Sequence, residues 1–200
     1  MGSLLAKEDD ILFFIDVDMA VSPLLASQCR RHVSKSQFAW YPIPFSQYDP
    51  DRLCIDESGV RSDVRALVED GNVNPAIEES QARANIARTP FTIGEERGFW
   101  RSFGYGITCM YKSDFAKAGG FDLTIEGWGE EDVRLYHAVL KSGTNAFRSN
   151  EADLVHIFHH KYCSSDLIGD QARACQSTKK SHYASQKCLS KTYFQRHELS

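Results

Sequence analysis

Apolar and polar positions along the chain predict short strands that alternate with helices. The longest apolar run, residues 11–15, has the length of a strand and is followed directly by Asp16-Val17-Asp18. A continuous run of this kind is typical of a buried strand in a parallel sheet, because both faces of such a strand are covered. Residues 38–45 are aromatic and β-prone, but their prolines favour an edge strand or an extended loop.

Two helices are predicted in the second half of the chain. Residues 105–111 alternate as a strand does and lead into a short helix, with Ser113 as the expected N-cap and Gly119 as its end. An amphipathic helix is predicted over 130–141, with acidic side chains in its first turn and Gly143 at its C-terminal end. Its apolar stripe has helical spacing and consists of Val133, Tyr136, His137 and Leu140.

Further strands are predicted at 146–148 and 154–158, and this alternation of strands and helices favours a layered α/β domain. The composition agrees, since 42% of the 200 residues are hydrophobic and 12% are aromatic. With 27 acidic against 23 basic residues, the chain lacks the clustered positive charge that binding to nucleic acid requires. It contains no apolar run of about 20 residues and no signal-peptide pattern at its N-terminus, so the sequence shows no membrane anchor.

Two regions are mainly polar. Residues 51–96 form an excursion with many turn signals, in which short helices are expected around Leu67 and Ile86. From about residue 170 onward the composition is polar and compatible with a helix. We therefore expect one domain over residues 1–200, with the excursion inserted in it and a helical tail over 170–200.

The six cysteines leave two interpretations open. None lies in a C-x-x-C pair, which removes support for a zinc ribbon or a thioredoxin-type site. Six cysteines in 200 residues are too few for a disulfide scaffold, so buried apolar thiols are the simpler interpretation. Cys163 and Cys175 flank a polar stretch and are the best candidates for a local disulfide.

Asp16 and Asp18 are the first candidates for chemistry, since they follow the first predicted strand. In open α/β sheets, ligands bind just beyond the carboxyl ends of strands. Two carboxylates at that edge can hold a divalent cation, which then neutralises a diphosphate. The alternative is a turn with two solvated acids, because a D-x-D pattern is common.

A second candidate is the stretch from Gly127 to Asp132, which reads Gly-Trp-Gly-Glu-Glu-Asp. Glycines on both sides of Trp128 allow a sharp turn that exposes the indole, and an exposed aromatic face is a platform for sugar rings. The acids after Gly129 fall at a helix N-terminus, where one of them can act as a general base. The alternative is a capping cluster beside a tryptophan of the core.

The third candidate is the group of three histidines in residues 156–160. His156 and Phe158 share one face of the predicted strand, and His159 can turn towards a metal if the strand ends near Phe158. The alternative is a set of ordinary hydrogen-bonded histidines. Together, a metal site, an acid and a tryptophan are the groups that glycosyl transfer from a nucleotide sugar requires.

Many short motifs, in the same order, resemble the carboxy-terminal catalytic domain of chondroitin synthases and chondroitin N-acetylgalactosaminyltransferases, which is similar to that of the β-1,4-galactosyltransferases. The resemblance covers residues 11–186. It is carried by Phe14-Ile15-Asp16-Val17-Asp18-Met19, Tyr41-Pro42-Ile43, Phe45-Ser46-Gln47-Tyr48-Asp49-Pro50, Gly98-Phe99-Trp100-Arg101, Phe103-Gly104-Tyr105-Gly106-Ile107-Thr108-Cys109, Gly119-Gly120-Phe121-Asp122, Gly127-Trp128-Gly129-Glu130-Glu131-Asp132-Val133 and Leu154-Val155-His156-Ile157-Phe158-His159 with Cys163.

The resemblance implies a GT-A fold, an inverting reaction and a Mn²⁺ ion or another divalent cation. Asp18 and His159 are the implied metal ligands, and His156 is a candidate further ligand. Asp132 is the implied general base, and Glu131 is implied to bind the donor sugar. The remaining implied substrate-binding residues are Asp16 near the ribose, Trp128 against a sugar, and Gly106 and Gly129.

The implied reaction moves N-acetylgalactosamine from UDP-GalNAc to a terminal glucuronic acid of a glycosaminoglycan, through a β-1,4 link, in chondroitin synthesis. By the same resemblance, we expect the Golgi lumen or the membrane of Golgi cisternae as the location and other chondroitin synthase subunits as partners.

Two departures from the family pattern favour alternatives. The nucleotide-binding half of the family's fold precedes the D-x-D motif, but here only fifteen residues precede Asp16, so we expect a fold truncated at its N-terminal half that binds UDP poorly. His160-Lys161-Tyr162 replaces an expected proline turn. A non-catalytic partner of a chondroitin synthase or an inactive fragment is therefore the alternative. A metal-dependent phosphohydrolase is a third reading, which leaves the turn at Trp128 unexplained.

Overall fold

The structure is a computed structural model that describes residues 5–49, 90–95, 97–125, 129–167 and 169–181. Its strands are β1 (Ile11–Phe14), β2 (Met19–Val21), β3 (Phe38–Trp40), β4 (Ile43–Gln47), β5 (Gly98–Trp100), β6 (Thr108–Tyr111), β7 (Asn145–Phe147) and β8 (Asn150–His156). Its helices are α1 (Leu25–His32), α2 (Lys112–Lys117), α3 (Glu131–Lys141) and α4 (Gly169–Ser181). The predicted α/β class is confirmed.

Parts of two predicted regions lie outside the described residues. These parts are residues 51–89 and 96 of the polar excursion, with the short helices expected there, and the tail beyond residue 181. Helix α4 lies at the start of the region expected as the helical tail.

The strands form two mixed sheets of four strands, in the orders β1-β6-β3-β7 and β2-β8-β4-β5. The chain passes from the first sheet to the second at three places: residues 15–18 join β1 to β2, residues 41–42 join β3 to β4, and residues 148–149 join β7 to β8. The Asp16-Val17-Asp18 turn therefore lies where the two sheets meet.

The first sheet is covered by apolar side chains on both faces. Trp40 and Cys109 pack with helix α1 on one face, whereas Ala39 and Met110 pack with helix α3 on the other. Successive residues of a strand point to opposite faces, so neighbours in β3 and β6 serve two different cores. This double coverage explains why β3 and β6 carry buried apolar side chains on both faces.

The predicted parallel environment of the first strand is wrong. Strand β1 pairs antiparallel with β6, with Phe13 opposite Cys109, and it is half-buried at the end of the sheet order. Both of its faces are nonetheless covered, because Phe13 packs near Trp40 while Phe14 lies 5.0 Å from Phe115, measured between ring centroids. An apolar run therefore indicates that both faces of a strand are covered, but it does not indicate whether the neighbouring strand is parallel or antiparallel.

The edge position expected for residues 38–45 is also wrong. Strands β3 and β4 both lie inside their sheets, with hydrogen-bonded neighbours on each side. Pro42 falls between the two strands, and Pro44 lies at a register shift between β4 and β8. A proline lacks the N–H of the ladder, and the irregularity at Pro44 accommodates that loss inside a sheet.

The helix predictions are correct in place but not in detail. Helix α2 ends before Gly119, whose φ of 90° is left-handed, but its N-cap is Tyr111 and the Ser113 hydroxyl makes no hydrogen bond in the described structure. Helix α3 ends as predicted before Gly143. Its buried side chains are Leu135 and Val139, whereas the predicted Val133 and Leu140 are exposed.

Two disulfides join described residues. Cys163 and Cys175 form the predicted local bridge. Cys29 of α1 and Cys109 of β6 are buried, as expected of apolar thiols, but they are bonded to each other. Because they are 80 residues apart, no local pattern in the sequence pointed to this pair.

Candidate active site

The position of Asp18 is set by the pairing of β2 with β8. Met19 stands opposite His156 in this antiparallel pair, and the Ile157 N–H donates to the backbone carbonyl of Asp18 at 3.1 Å. Strand β8 ends at His156, so the chain can turn and bring His159 back over the same carboxylate. The predicted end of the strand near this point is confirmed, two residues earlier than expected.

Asp18, His156 and His159 converge on one point. The Nε2 atoms of His156 and His159 lie 3.3 Å and 3.0 Å from Asp18 Oδ2. One ligand atom from each of the three residues lies within 4.8 Å of the others. The other carboxylate oxygen, Asp18 Oδ1, is buried and has no hydrogen-bond partner among the described residues.

This donor set fits a divalent cation. One carboxylate oxygen and two imidazole nitrogens suit ions such as Mn²⁺ and Zn²⁺. An imidazole must be neutral to bind a metal, and burial lowers the pKa of His156 to about 4, although the nearby Asp18 opposes this shift. His156 is therefore neutral at physiological pH, and the half-exposed His159 leaves the cluster open to solvent.

Asp16 lies beside this cluster but is not part of it. Burial raises the pKa of its carboxyl, and the negative charge of Asp18 adds to the effect. A methyl group at Gly106 would lie 3.6 Å from Asp16 Oδ2 and 3.9 Å from Asp132 Oδ2. Gly106 therefore lies between the two carboxylates, and its lack of a side chain leaves that space empty.

Asp132 is held in the first turn of α3. Its Oδ1 accepts the N–H of Val133 at 2.8 Å, and its Oδ2 accepts the N–H of Tyr105 at 3.2 Å. Before it, Gly129 and Glu130 both have left-handed backbones, with φ of 94° and 75°. This turn directs residues 131 and 132 towards the space beside Gly106.

The left-handed Glu130 was not predicted, and ion pairs brace it. Arg134 donates to Glu130 at 3.0 Å and to Asp122 at 2.7 Å. Hydrogen bonds from Thr124 and then from Arg134 lower the pKa of Asp122 to about 2. A left-handed conformation is unfavourable for a residue with a side chain, so contacts of this kind are needed to maintain it.

One cavity of about 830 Å³ joins these groups. The predicted site residues that line it are Asp16, Asp18, Gly106, Gly129, Glu131, Asp132, His156 and His159. Trp128 lies outside the described residues. The structure thus brings together every described residue of the predicted site.

Sequence reasoning assigned no role to three further residues of the cavity wall: Arg101, Phe103 and Lys161. Burial lowers the pKa of Lys161, and the positive charge of Arg101 adds to that shift. Arg101 and Phe103 stand within motifs that carry the family resemblance, and Lys161 is two residues after His159. Their positions in the sequence were therefore a signal that they lie near the site.

Arg148 orders the loop that carries Gly106, although it does not line the cavity. Its guanidinium donates to the carbonyls of Ser102 and Gly104, both at 2.7 Å, and lies 4.6 Å from the centre of the Tyr105 ring. The Tyr105 N–H is the group that donates to Asp132. Arg148 therefore acts on the candidate base through the loop between them.

The Cys163–Cys175 disulfide ties helix α4 to the segment that carries His159. Cys175 is buried, and its neighbours Ala174 and Thr178 line the cavity. The cross-link therefore connects one wall of the cavity to a candidate metal ligand.

Replacing Cys163 and Cys175 together by serine is expected to weaken Mn²⁺ binding about 10-fold, because His159 is then less restrained near Asp18. Calorimetric titration with Mn²⁺, well below the unfolding temperature, measures this effect. Replacing Cys29 and Cys109 together by alanine is the matched control, which should lose stability and keep its Mn²⁺ affinity. Equal affinities in the two double variants would contradict the positioning role.

The fold and the cavity define a class: a mixed α/β domain whose sheets meet at a candidate metal cluster, beside a carboxylate at a helix N-terminus. The family follows from the sequence model for chondroitin N-acetylgalactosaminyltransferase, which matches residues 1–189. The chain belongs to this family. The resemblance drawn from its motifs is confirmed.

Individual relatives agree with the family. Human chondroitin sulfate synthase 3 is 38% identical over 98% of this chain and 19% of its own length. Human chondroitin sulfate N-acetylgalactosaminyltransferase 1 is 35% identical over 94% of this chain and 31% of its own length. The chain thus spans a third or less of these relatives. No solved structure matches.

No helix within the described ranges is long and apolar enough to cross a membrane.

Proposed function

We propose that this chain is an inverting, metal-dependent glycosyltransferase domain with a GT-A arrangement. Its proposed reaction transfers N-acetylgalactosamine from UDP-GalNAc to a terminal glucuronic acid, through a β-1,4 link, in chondroitin synthesis. The observation that carries this proposal is the convergence of Asp18, His156 and His159 in the cavity that also contains Asp132. Membership of the family and the names of the relatives support the sugar and the polymer.

On the donor side, Asp18, His156 and His159 would hold the cation. A divalent ion there supplies charge stabilisation for a diphosphate leaving group. Asp16 lies next to this cluster and is proposed to contact the ribose or to support the site. Lys161 adds a positive charge at the same wall, which favours a diphosphate further.

On the acceptor side, Asp132 is the proposed general base. Its carboxylate takes the proton of the acceptor hydroxyl while that oxygen bonds to the anomeric carbon, and the bond from that carbon to UDP breaks with its electron pair on UDP. Attack from the opposite face inverts the anomeric configuration. The N–H groups of Tyr105 and Val133 hold the Asp132 carboxylate in place, and close placement of the acceptor against it supplies much of the rate.

The other predicted site residues are proposed to bind the sugars of the two substrates. Glu131 adjoins Asp132 in the cavity and is proposed to bind the donor sugar, while Gly106 and Gly129 leave space for it. Trp128 is proposed to stack on a sugar. We also propose the Golgi lumen as the compartment and other chondroitin synthase subunits as partners. Two disulfides, Cys29–Cys109 and Cys163–Cys175, support an oxidising compartment.

A transfer assay tests the proposal. The chain is incubated with Mn²⁺, radiolabelled UDP-GalNAc and a chondroitin oligosaccharide that ends in glucuronic acid. We expect label in the oligosaccharide, removable by a β-N-acetylhexosaminidase, lost with a chelator and restored by Mn²⁺. UDP-glucose and UDP-glucuronic acid serve as donor controls.

Two results would contradict the proposal. Phosphate or UDP released at the same rate without acceptor would indicate a phosphohydrolase. A folded chain that binds the oligosaccharide but transfers no label would indicate a non-catalytic partner.

A further inference from the structure

Three arginines surround the candidate site, and two of them have their charge engaged. Arg134 pairs with Asp122 and Glu130, and Arg148 donates to two backbone carbonyls. Arg101 forms no ion pair with any described residue, and its buried Nε makes no hydrogen bond within the described ranges. Among these three, Arg101 is therefore the guanidinium available to a ligand.

Arg101 stands over an exposed aromatic ring. Its guanidinium carbon lies 5.9 Å from the centre of the Phe103 ring, and Phe103 is 54% exposed at the cavity wall. Phe99 stacks behind this ring at 6.1 Å between centroids, nearly parallel to it. The backbone at Gly104 lies against Arg101, since a methyl group there would be 3.3 Å from its Nε. The ring and the cation thus form one supported surface.

This surface adjoins the candidate base. Phe103 is two residues before Tyr105, whose N–H donates to Asp132 Oδ2 at 3.2 Å. Two residues of chain span at most about 7 Å. Phe103 and Asp132 line the same cavity, so a sugar packed on Phe103 shares that cavity with the carboxylate proposed to take the acceptor's proton.

The charges of the cavity make this position selective. Its wall carries the acids Asp16, Asp18, Glu130, Glu131 and Asp132. A substrate with its own negative charge is repelled by that wall unless a cation compensates it. Arg101 and Lys161 supply positive charge at the wall, and both interact electrostatically with the carboxylate of Asp16.

We propose that Arg101 and Phe103 form the subsite that recognises the terminal uronic acid of the acceptor. The pyranose packs its C–H face on Phe103, and the guanidinium binds the carboxylate in bidentate fashion. A nucleotide diphosphate is the other oxyanion that Arg101 could bind, but the cluster of Asp18, His156 and His159 is already proposed to hold the cation that compensates it. The inference rests on the proposed function, since it names the residues that recognise the acceptor of that reaction.

A binding experiment separates these sources of the anion. Two chondroitin oligosaccharides of equal length are compared, one ending in glucuronic acid and the other in its carboxyl-reduced form, glucose. The wild-type chain should bind the acidic oligosaccharide about 10- to 100-fold more tightly, as expected for hydrogen bonds to a charged group. Arg101→Gln should abolish this preference, leaving the affinities for the glucose-ended chain and for UDP with Mn²⁺ unchanged. Arg31→Gln, an exposed arginine of α1, is the matched control.

Phe103→Leu keeps the cation and removes the aromatic face. It should weaken binding of both oligosaccharides alike and retain the preference for the acid. The inference is overturned if Arg101→Gln weakens both oligosaccharides equally, or if it weakens UDP binding while the preference remains.

The same variants distinguish this inference from the proposed function. Wild-type transfer of label together with an unchanged preference in Arg101→Gln would overturn the subsite alone. Selective binding of the acidic oligosaccharide without any transfer of label would overturn the proposed function and leave the subsite in place.

Discussion

Replacing Asp132 by asparagine is expected to lower the rate constant for sugar transfer by about 100- to 10,000-fold, the range typical of general base catalysis. The amide has nearly the same shape and can still accept an N–H from Tyr105 or Val133. It cannot take a proton from the acceptor hydroxyl. The loss should therefore appear in kcat, with little change in the KM for UDP-GalNAc, when initial rates are measured with both substrates varied.

A matched control accompanies the replacement of Asp132. Asp10→Asn, a change at an exposed position outside the cavity wall, serves as the control and should keep the wild-type rate. A kcat close to wild type in Asp132→Asn would remove the base assignment and leave the metal cluster unaffected.

Replacing Asp18 by asparagine is expected to weaken Mn²⁺ binding by about 100-fold or more, at or above the upper end of the range of about 10- to 100-fold that is typical of outer-shell partners of a metal ligand. Asp18 contributes the only negative charge of the three-residue cluster, and its Oδ2 lies within 3.3 Å of both imidazoles. Titration of the chain with Mn²⁺, with the free ion followed by electron paramagnetic resonance, measures the change directly and requires no catalytic activity.

Asp16→Asn is the matched control for Asp18, because it removes the same charge two residues away. Asp16 is not a member of the cluster, so its loss should weaken Mn²⁺ binding much less. His159→Ala should produce a clear but smaller loss than Asp18→Asn, since His156 and the carboxylate remain. Equal effects of Asp16→Asn and Asp18→Asn would show that the ion is not held where the imidazoles converge.

The chemistry of the site was largely readable from the sequence. Asp16 and Asp18 after an apolar run, the acids after Gly129, and the histidines after residue 155 were identified from residue types and local order. These signals are local, since a strand end, a glycine turn or a helix start depends mostly on neighbouring residues. All of these residues except His160 line one cavity.

The pairing of the strands within the sheets could not be predicted from the sequence. Strand β1 is antiparallel to β6, and β3 and β4 are interior strands, although the sequence favoured a parallel neighbour and an edge. The apolar run reported that both faces are covered, which α1 and α3 achieve from opposite sides of the first sheet. Coverage by helices produces the same pattern whichever way the neighbouring strand runs.

The buried face of α3 was misjudged for a related reason. Both Val133 with Leu140 and Leu135 with Val139 have helical spacing, and the structure buries the second pair. The left-handed backbone at Gly129 and Glu130 sets the direction from which the chain enters the helix. That turn, and the sheet it meets, decide which stripe faces inward.

The sequence by itself determined which chemical groups this protein carries and in what order, because residue types and local spacing are written in the chain. Only the tertiary structure decided which of those groups meet. Asp18 and His159 are 141 residues apart and come within 3.0 Å because β2 pairs with β8, and the same fold engages Arg134 and Arg148 while leaving Arg101 at the cavity wall. Contacts between distant segments depend on how whole sheets and helices pack, and no local pattern encodes that packing.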